Sequence, residues 1–212
     1  MISRGPVIIL CALIVLVVLC LFSGVISIRT ADTHNTTVAI QEYNTWAAEQ
    51  KQLDREVRSD LQRISADTTT YNTEITGNAP DLALLRKNLA DENQLVSAWQ
   101  NELTRLNFAT DGFEKNTSSL TYGNNVKTQQ EVALMAQYMK IYAVSVGNAQ
   151  QHLIDYTNNA GSYVGTDDPD YWNEAYLQSA TDARQRAASS LSDGDSALEN
   201  ITAQAQLLQQ SQ

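Results

Sequence analysis

The chain has 212 residues, with 24 acidic against 14 basic side chains and a formal charge of −10. Arg4 and Arg29 are the only charged side chains before Ala31, so the remainder carries a formal −12. That balance disfavours nucleic acid and anionic lipid surfaces, which require Lys/Arg clusters, and only 3 Pro and 9 Gly leave room for long helices.

Residues 1–6 read as a short cytoplasmic N-terminus, and residues 7–28 as a transmembrane signal anchor. Val7 to Phe22 is unbroken apolar sequence, and Ser23, Gly24 and Ser27 are the only small or polar residues before Arg29. As a helix, Val7 to Ile28 would span about 33 Å, matching a hydrocarbon core of about 30 Å. A cleaved signal peptide has a shorter apolar region of about 7–15 residues, although Val25-Ile26-Ser27 offers a weak cleavage site. Arg4 and the terminal amine ahead of the segment, against Arg29 behind it, point the N-terminus inward. Three Asn-x-Ser/Thr sequons, at Asn35, Asn116 and Asn200, are compatible with a glycosylated extracytoplasmic domain. The only cysteines, Cys11 and Cys20, lie inside the apolar segment on opposite helix faces, so neither a disulfide framework nor a Cys-based zinc site is expected. Leu19 stands where a lipoprotein signal at Cys20 would want Gly or Ala.

Arg4-Gly5 ahead of this apolar helix resembles the class III signal of archaeal pilins and archaellins. The resemblance covers about the first 30 residues and implies a pilin-like filament subunit. Pro6 after the cleavage point departs from that pattern. So does a helical remainder, where those proteins carry mostly β heads.

Beyond the anchor, four stretches carry apolar ladders in steps of three and four. The first includes Trp46, Gln50, Leu53, Val57, Leu61, Ile64, Thr68 and Tyr71. The second includes Leu85, Leu89, Glu92, Val96, Trp99, Leu103 and Leu106. The third includes Val132, Met135, Met139, Tyr142, Val146, Leu153, Tyr156 and Tyr163. The fourth runs Trp172, Tyr176, Ser179, Ala183, Ala187, Ser190, Gly194, Ala197, Ile201, Gln204 and Leu208. Gly77 to Pro80 ends the first helix, with Pro80 suited to the first turn of the second. Thr110 to Lys127, with two Gly and many Thr, Ser and Asn, reads as the longest loop. Thr128 and Glu131 have capping-box spacing, and Asp168 ahead of Pro169 reads as the N-cap of the fourth helix. Asp193-Gly194-Asp195 marks a weak point within that helix.

The fold class is therefore all-α: a single N-terminal transmembrane helix followed by an elongated antiparallel four-helix bundle over residues 29–212. Its helices are expected at about 33–75, 81–108, 128–160 and 169–208. The end far from the membrane should gather Tyr71, Tyr156, Tyr163, Trp172 and Tyr176, either as core or as the lining of a ligand pocket. The nearer layer should gather Trp46, Phe108, Met135 and Ile201. Gln50, Glu92, Ser179, Ser190 and Gln204 fall on apolar seams, where each must find a partner, meet water or cost stability.

No chemistry-bearing motif stands out. His34 and His152 lack second ligands at metal spacing, and Asp167-Asp168-Pro169-Asp170 lacks the alternation of a calcium loop. Gly161 to Gly165 lacks the Lys and the strand of a phosphate loop, and there is no nucleophile elbow. No catalytic residue, cofactor or metal is expected, and the chain reads as a non-enzyme. The expected role is structural or protein-interacting: a cell-surface stalk, or an accessory subunit of a membrane complex. It would touch the lipid bilayer through residues 7–28, and a protein partner or a second copy through the bundle. The alternative is a ligand-sensing module. A membrane-anchored exterior four-helix bundle is similar in architecture to the ligand-binding part of chemoreceptors and sensor kinases, which implies signalling here through a partner subunit.

Overall fold

A computed structural model describes residues 31–75, 80–120, 126–168 and 172–210. These form four long α-helices and no strand: α1 Ala31–Ile75, α2 Leu82–Ser118, α3 Val126–Tyr163 and α4 Glu174–Gln210. Among the described residues no helix is long and apolar enough to cross a membrane. The proposed anchor at 7–28 and the cytoplasmic residues 1–6 lie outside the described residues.

The contacts fix the topology. Between α1 and α2, Trp46 Nε1 donates to Thr110 Oγ1 at 3.0 Å, and Trp99 Nε1 donates to Asp60 Oδ2 at 2.8 Å. Numbers rise on one helix as they fall on the other, so the pair is antiparallel. The α2–α3 pair is antiparallel too: Lys140 Nζ meets Glu114 Oε1 at 2.7 Å, and Asn93 Nδ2 donates to Thr157 Oγ1 at 2.8 Å. Helices α1 and α3 run parallel across the core, joined by Gln50 to Tyr142 and by Thr68 to Tyr156. The closest and most extensive pairing is α3 with α4, while α1 and α4 touch sparingly. Small residues on α4 explain this. Ala183, Ala187, Gly194 and Ala197 are all buried, and they let the α3 backbone approach. At 1.5 Å per residue, α1 with its 45 residues is about 68 Å long. The bundle is correspondingly elongated.

Helix boundaries depart from the sequence reading in three places. First, α2 does not stop near residue 108 but continues to Ser118, through the first half of the expected loop. Thr110 and Thr117 donate their hydroxyls to the carbonyls of Leu106 and Phe113, four residues back, so residues that favour loops are accommodated within the helix. The extended register turns Phe113 fully inward and leaves Phe108 80% exposed, not packed beside Trp46 as its predicted layer required. Trp46, Met135 and Ile201 do share one buried cluster. Second, α3 begins at Val126, which places Thr128 inside its first turn. Third, α4 begins at Glu174, and Asp168 is not its cap. Asn173 fills that role, its Oδ1 accepting from the Ala175 N–H at 3.0 Å. At the start of α2, Asp81 is the cap, accepting from the Leu84 N–H, and Pro80 lies just outside the helix.

Helix α4 runs through Asp193-Gly194-Asp195 without interruption. A Cβ built at Gly194 would lie 3.6 Å from Ser145 Cβ and 3.7 Å from Val146 Cγ2, ordinary contact distances. Gly194→Ala is therefore expected to stabilise the bundle by about 0.5–1 kcal/mol, since alanine is the better helix former and loses less entropy on folding. Thermal melting should rise by a few degrees. A fall would mean that the α3–α4 approach tolerates no added methyl.

Candidate functional site

The end of the bundle that holds the α1–α2 and α3–α4 connections is called distal here. Most of the core forms one apolar cluster from Ala39 to Leu208, and a second, smaller cluster fills the distal end. Between them lies a polar layer, one side chain per helix: Thr68 on α1, Glu92 on α2, Tyr156 on α3 and Arg184 on α4. Each sits within a turn of apolar neighbours. Ile64 and Tyr71 flank Thr68, and Leu89 and Val96 flank Glu92.

Four of the five aromatics expected at this end do assemble. Tyr71, Tyr156 and Tyr163 are buried in the distal cluster, and Trp172 packs against it. The Tyr163 and Trp172 rings lie 5.1 Å apart and tilted. Tyr71 donates to the Ala160 carbonyl at 3.3 Å, and Trp172 Nε1 donates to the Thr166 carbonyl at 3.2 Å. Tyr176 is the exception, 43% exposed in the first turn of α4. The apolar face there passes through Leu177, Ala180 and Ala183, so Leu177 packs inward in its place. Ser179, expected on the seam, is likewise exposed. A further tie closes this end: Arg86 on α2 donates from Nε to the Val164 carbonyl at 2.9 Å and from Nη1 to Asp167 at 2.8 Å.

Thr68 donates to the Ile64 carbonyl at 2.7 Å, which leaves its oxygen to accept from the Tyr156 hydroxyl at 3.4 Å. Glu92 is 1% exposed, and its Oε2 has no hydrogen-bond partner. Burial pushes its carboxyl up to about 8, the charge of Asp67 pushes the same way, and Arg184 opposes both. At neutral pH Glu92 is thus a neutral acid, able to donate a proton to a hydrogen bond. Burial and the neighbouring Glu92 likewise hold the Tyr156 hydroxyl un-ionised. A cavity of about 70 Å³ opens beside this layer, with Thr68, Tyr71, Tyr156, Leu177 and Arg184 among its lining residues.

A second polar layer lies toward the middle of the bundle. Gln50 Nε2 donates to the Tyr142 hydroxyl at 3.3 Å, which satisfies the predicted seam glutamine. Asp195 nearby is raised to about 6 by burial, with Arg58 opposing and Asp54 and Glu199 reinforcing. Among the described residues no group of three or more His, Cys, Asp or Glu side chains is placed to hold a metal. His152 is half-buried, 4.0 Å from Asp155.

The three sequons fall on helices. Asn116 is exposed in the last turn of α2. Asn200 is exposed in α4 but donates to the Ser196 carbonyl at 2.8 Å, and its sequon threonine, Thr202, is buried. Asn35 is half-buried near the start of α1. Compared with protein-family models, with curated proteins and with solved structures, the chain matches none.

Proposed function

We propose that this chain is a membrane-anchored stalk whose helical bundle stands outside the cytoplasm and acts through contacts with other proteins. The observation that carries the reading is continuity. An apolar stretch of membrane-spanning length, residues 7–28, leads within three residues into α1, the longest helix of the bundle. Arg4 and the terminal amine ahead of that stretch, against Arg29 alone directly behind it, favour the exterior placement. An interaction role draws on the flank of α3, where Leu134, Ile141 and Val144 share one helical face and are 40%, 41% and 61% exposed.

One preparation tests both halves. Cells expressing the full chain with Asn116→Cys are treated with a membrane-impermeant maleimide, and their membranes are then extracted with alkaline carbonate. The expected result is labelling at position 116 in intact cells and retention of the chain in the carbonate pellet. Deleting residues 7–28 should release it. A full-length chain that carbonate extracts, or that labels only after lysis, would overturn the anchor or its orientation. Gentle detergent purification with mass spectrometry then identifies the contact, and recovery of the chain alone as a monomer argues against the interaction role.

A further inference from the structure

We infer that the distal cavity between α1, α3 and α4 is a binding site for a short-chain monocarboxylate, with Arg184 as the group that receives its charge. This goes beyond the stalk reading and does not depend on it.

Three observations carry it. Arg184 lines the cavity half-buried and makes no hydrogen bond or ion pair with any described residue. A guanidinium has five N–H donors in a planar fork that fits a carboxylate, and leaving it unpaired in a partly desolvated wall is costly. Next, Glu92 is buried beside it with an unpartnered carboxyl oxygen, and its electrostatic coupling reaches both Arg184 and Tyr156. Because Glu92 is held neutral, it does not supply the anion that Arg184 lacks. The remaining lining mixes the polar Thr68, Tyr71, Asn72, Tyr156 and Thr181 with Ala160, Leu177 and Ala180, which offer contact to an alkyl group. At about 30 Å³ per water, a cavity of about 70 Å³ has room for roughly two waters, or for an acid of two or three carbons with one end at the opening.

The titratable and charged groups lining the site are Tyr71 on α1, Tyr156 on α3 and Arg184 on α4, and Asp67 on α1 and Glu92 on α2 couple to them electrostatically from behind. Ionising Glu92 would place a second carboxylate next to the ligand and compete for the same cation. Binding should therefore weaken as the pH rises through the titration of Glu92.

The full chain, purified in detergent, is titrated calorimetrically with propionate and with its uncharged isostere propionamide, at ionic strength fixed with chloride. Propionate is expected to bind and propionamide to bind at least about tenfold more weakly, the margin of a charge-assisted fork. Arg184→Gln should abolish the difference. Ala180→Leu should block propionate by filling the cavity, with the arginine intact. Affinity should fall severalfold from about pH 6.5 to about pH 9 in the native chain and stay level in Glu92→Gln. Equal affinity for the two ligands, no heat with either, or undiminished propionate binding by Arg184→Gln in a chain that melts normally would each overturn the site. The cavity would then hold ordered water only.

Discussion

Raising the pH from about 6.5 to about 8.5 is expected to destabilise this bundle, and Glu92→Gln is expected to remove most of that loss. The folded protein holds the Glu92 carboxyl at about 8, whereas an unfolded chain returns it to the ordinary carboxylate range. Between those two values the folded state retains a proton that the unfolded state has released. Stability then falls with rising pH, by up to about 1.4 kcal/mol per unit, and levels off once the folded carboxyl has also ionised. Between about pH 6.5 and about pH 8.5 the loss is roughly 2 kcal/mol, or about 4–8 °C in melting temperature for a bundle of this size. Asp195 contributes with the same sign, but its folded value of about 6 confines it to more acidic conditions. Above neutrality the slope belongs chiefly to Glu92. Gln keeps the shape and the hydrogen-bonding capacity without the charge, so the variant and the native chain should coincide near pH 5 and diverge toward pH 9. Thermal melts across that range decide it. A native curve flat between pH 6.5 and 8.5, or an equal slope in Glu92→Gln, would mean that water or rearrangement solvates the carboxylate.

Glu92 was legible in the sequence as a polar residue on an otherwise apolar ladder, flanked by Leu89 and Val96. The ladders of Trp46 to Tyr71 and of Val132 to Tyr163 likewise read through to the core, because period and burial agree along their length. Arg184 and Asp67 were not legible. Each is an ordinary charged residue beside its own ladder, and only the packing of four helices brings them to one layer with Glu92. Tyr176 misled because the apolar face of the first turn of α4 passes through Leu177, which packs on the distal cluster in its place. The loop expected from Thr110 to Lys127 misled for a different reason. Gly112, Asn116 and several Thr and Ser residues weaken helix propensity locally, and that preference is outweighed by the burial of Phe113 and Thr117 against the rest of the bundle.

That last case yields a second large expected effect. If α2 runs to Ser118 with Phe113 in its core face, Phe113→Ala should cost about 3–5 kcal/mol, the usual range for a fully buried phenylalanine. Phe108→Ala, five residues earlier and 80% exposed, should change stability by less than about 0.5 kcal/mol. The pair separates two registers, because the composition-based reading ends the helix at 108, packs Phe108 and frees Phe113. Under that reading the two costs would be reversed. Denaturant titration of both variants measures them directly, and an unchanged m-value would show that the same surface is exposed on unfolding. The outcome also bears on the shape of the bundle. The last ten residues of α2 cover the α1 start through Trp46 and Thr110 and reach α3 through Glu114 and Lys140. Without them, the end of the bundle where α1 begins would consist of α1, α3 and α4 alone. Trp46, fully buried with its N–H bonded to Thr110, would lose both its cover and its partner.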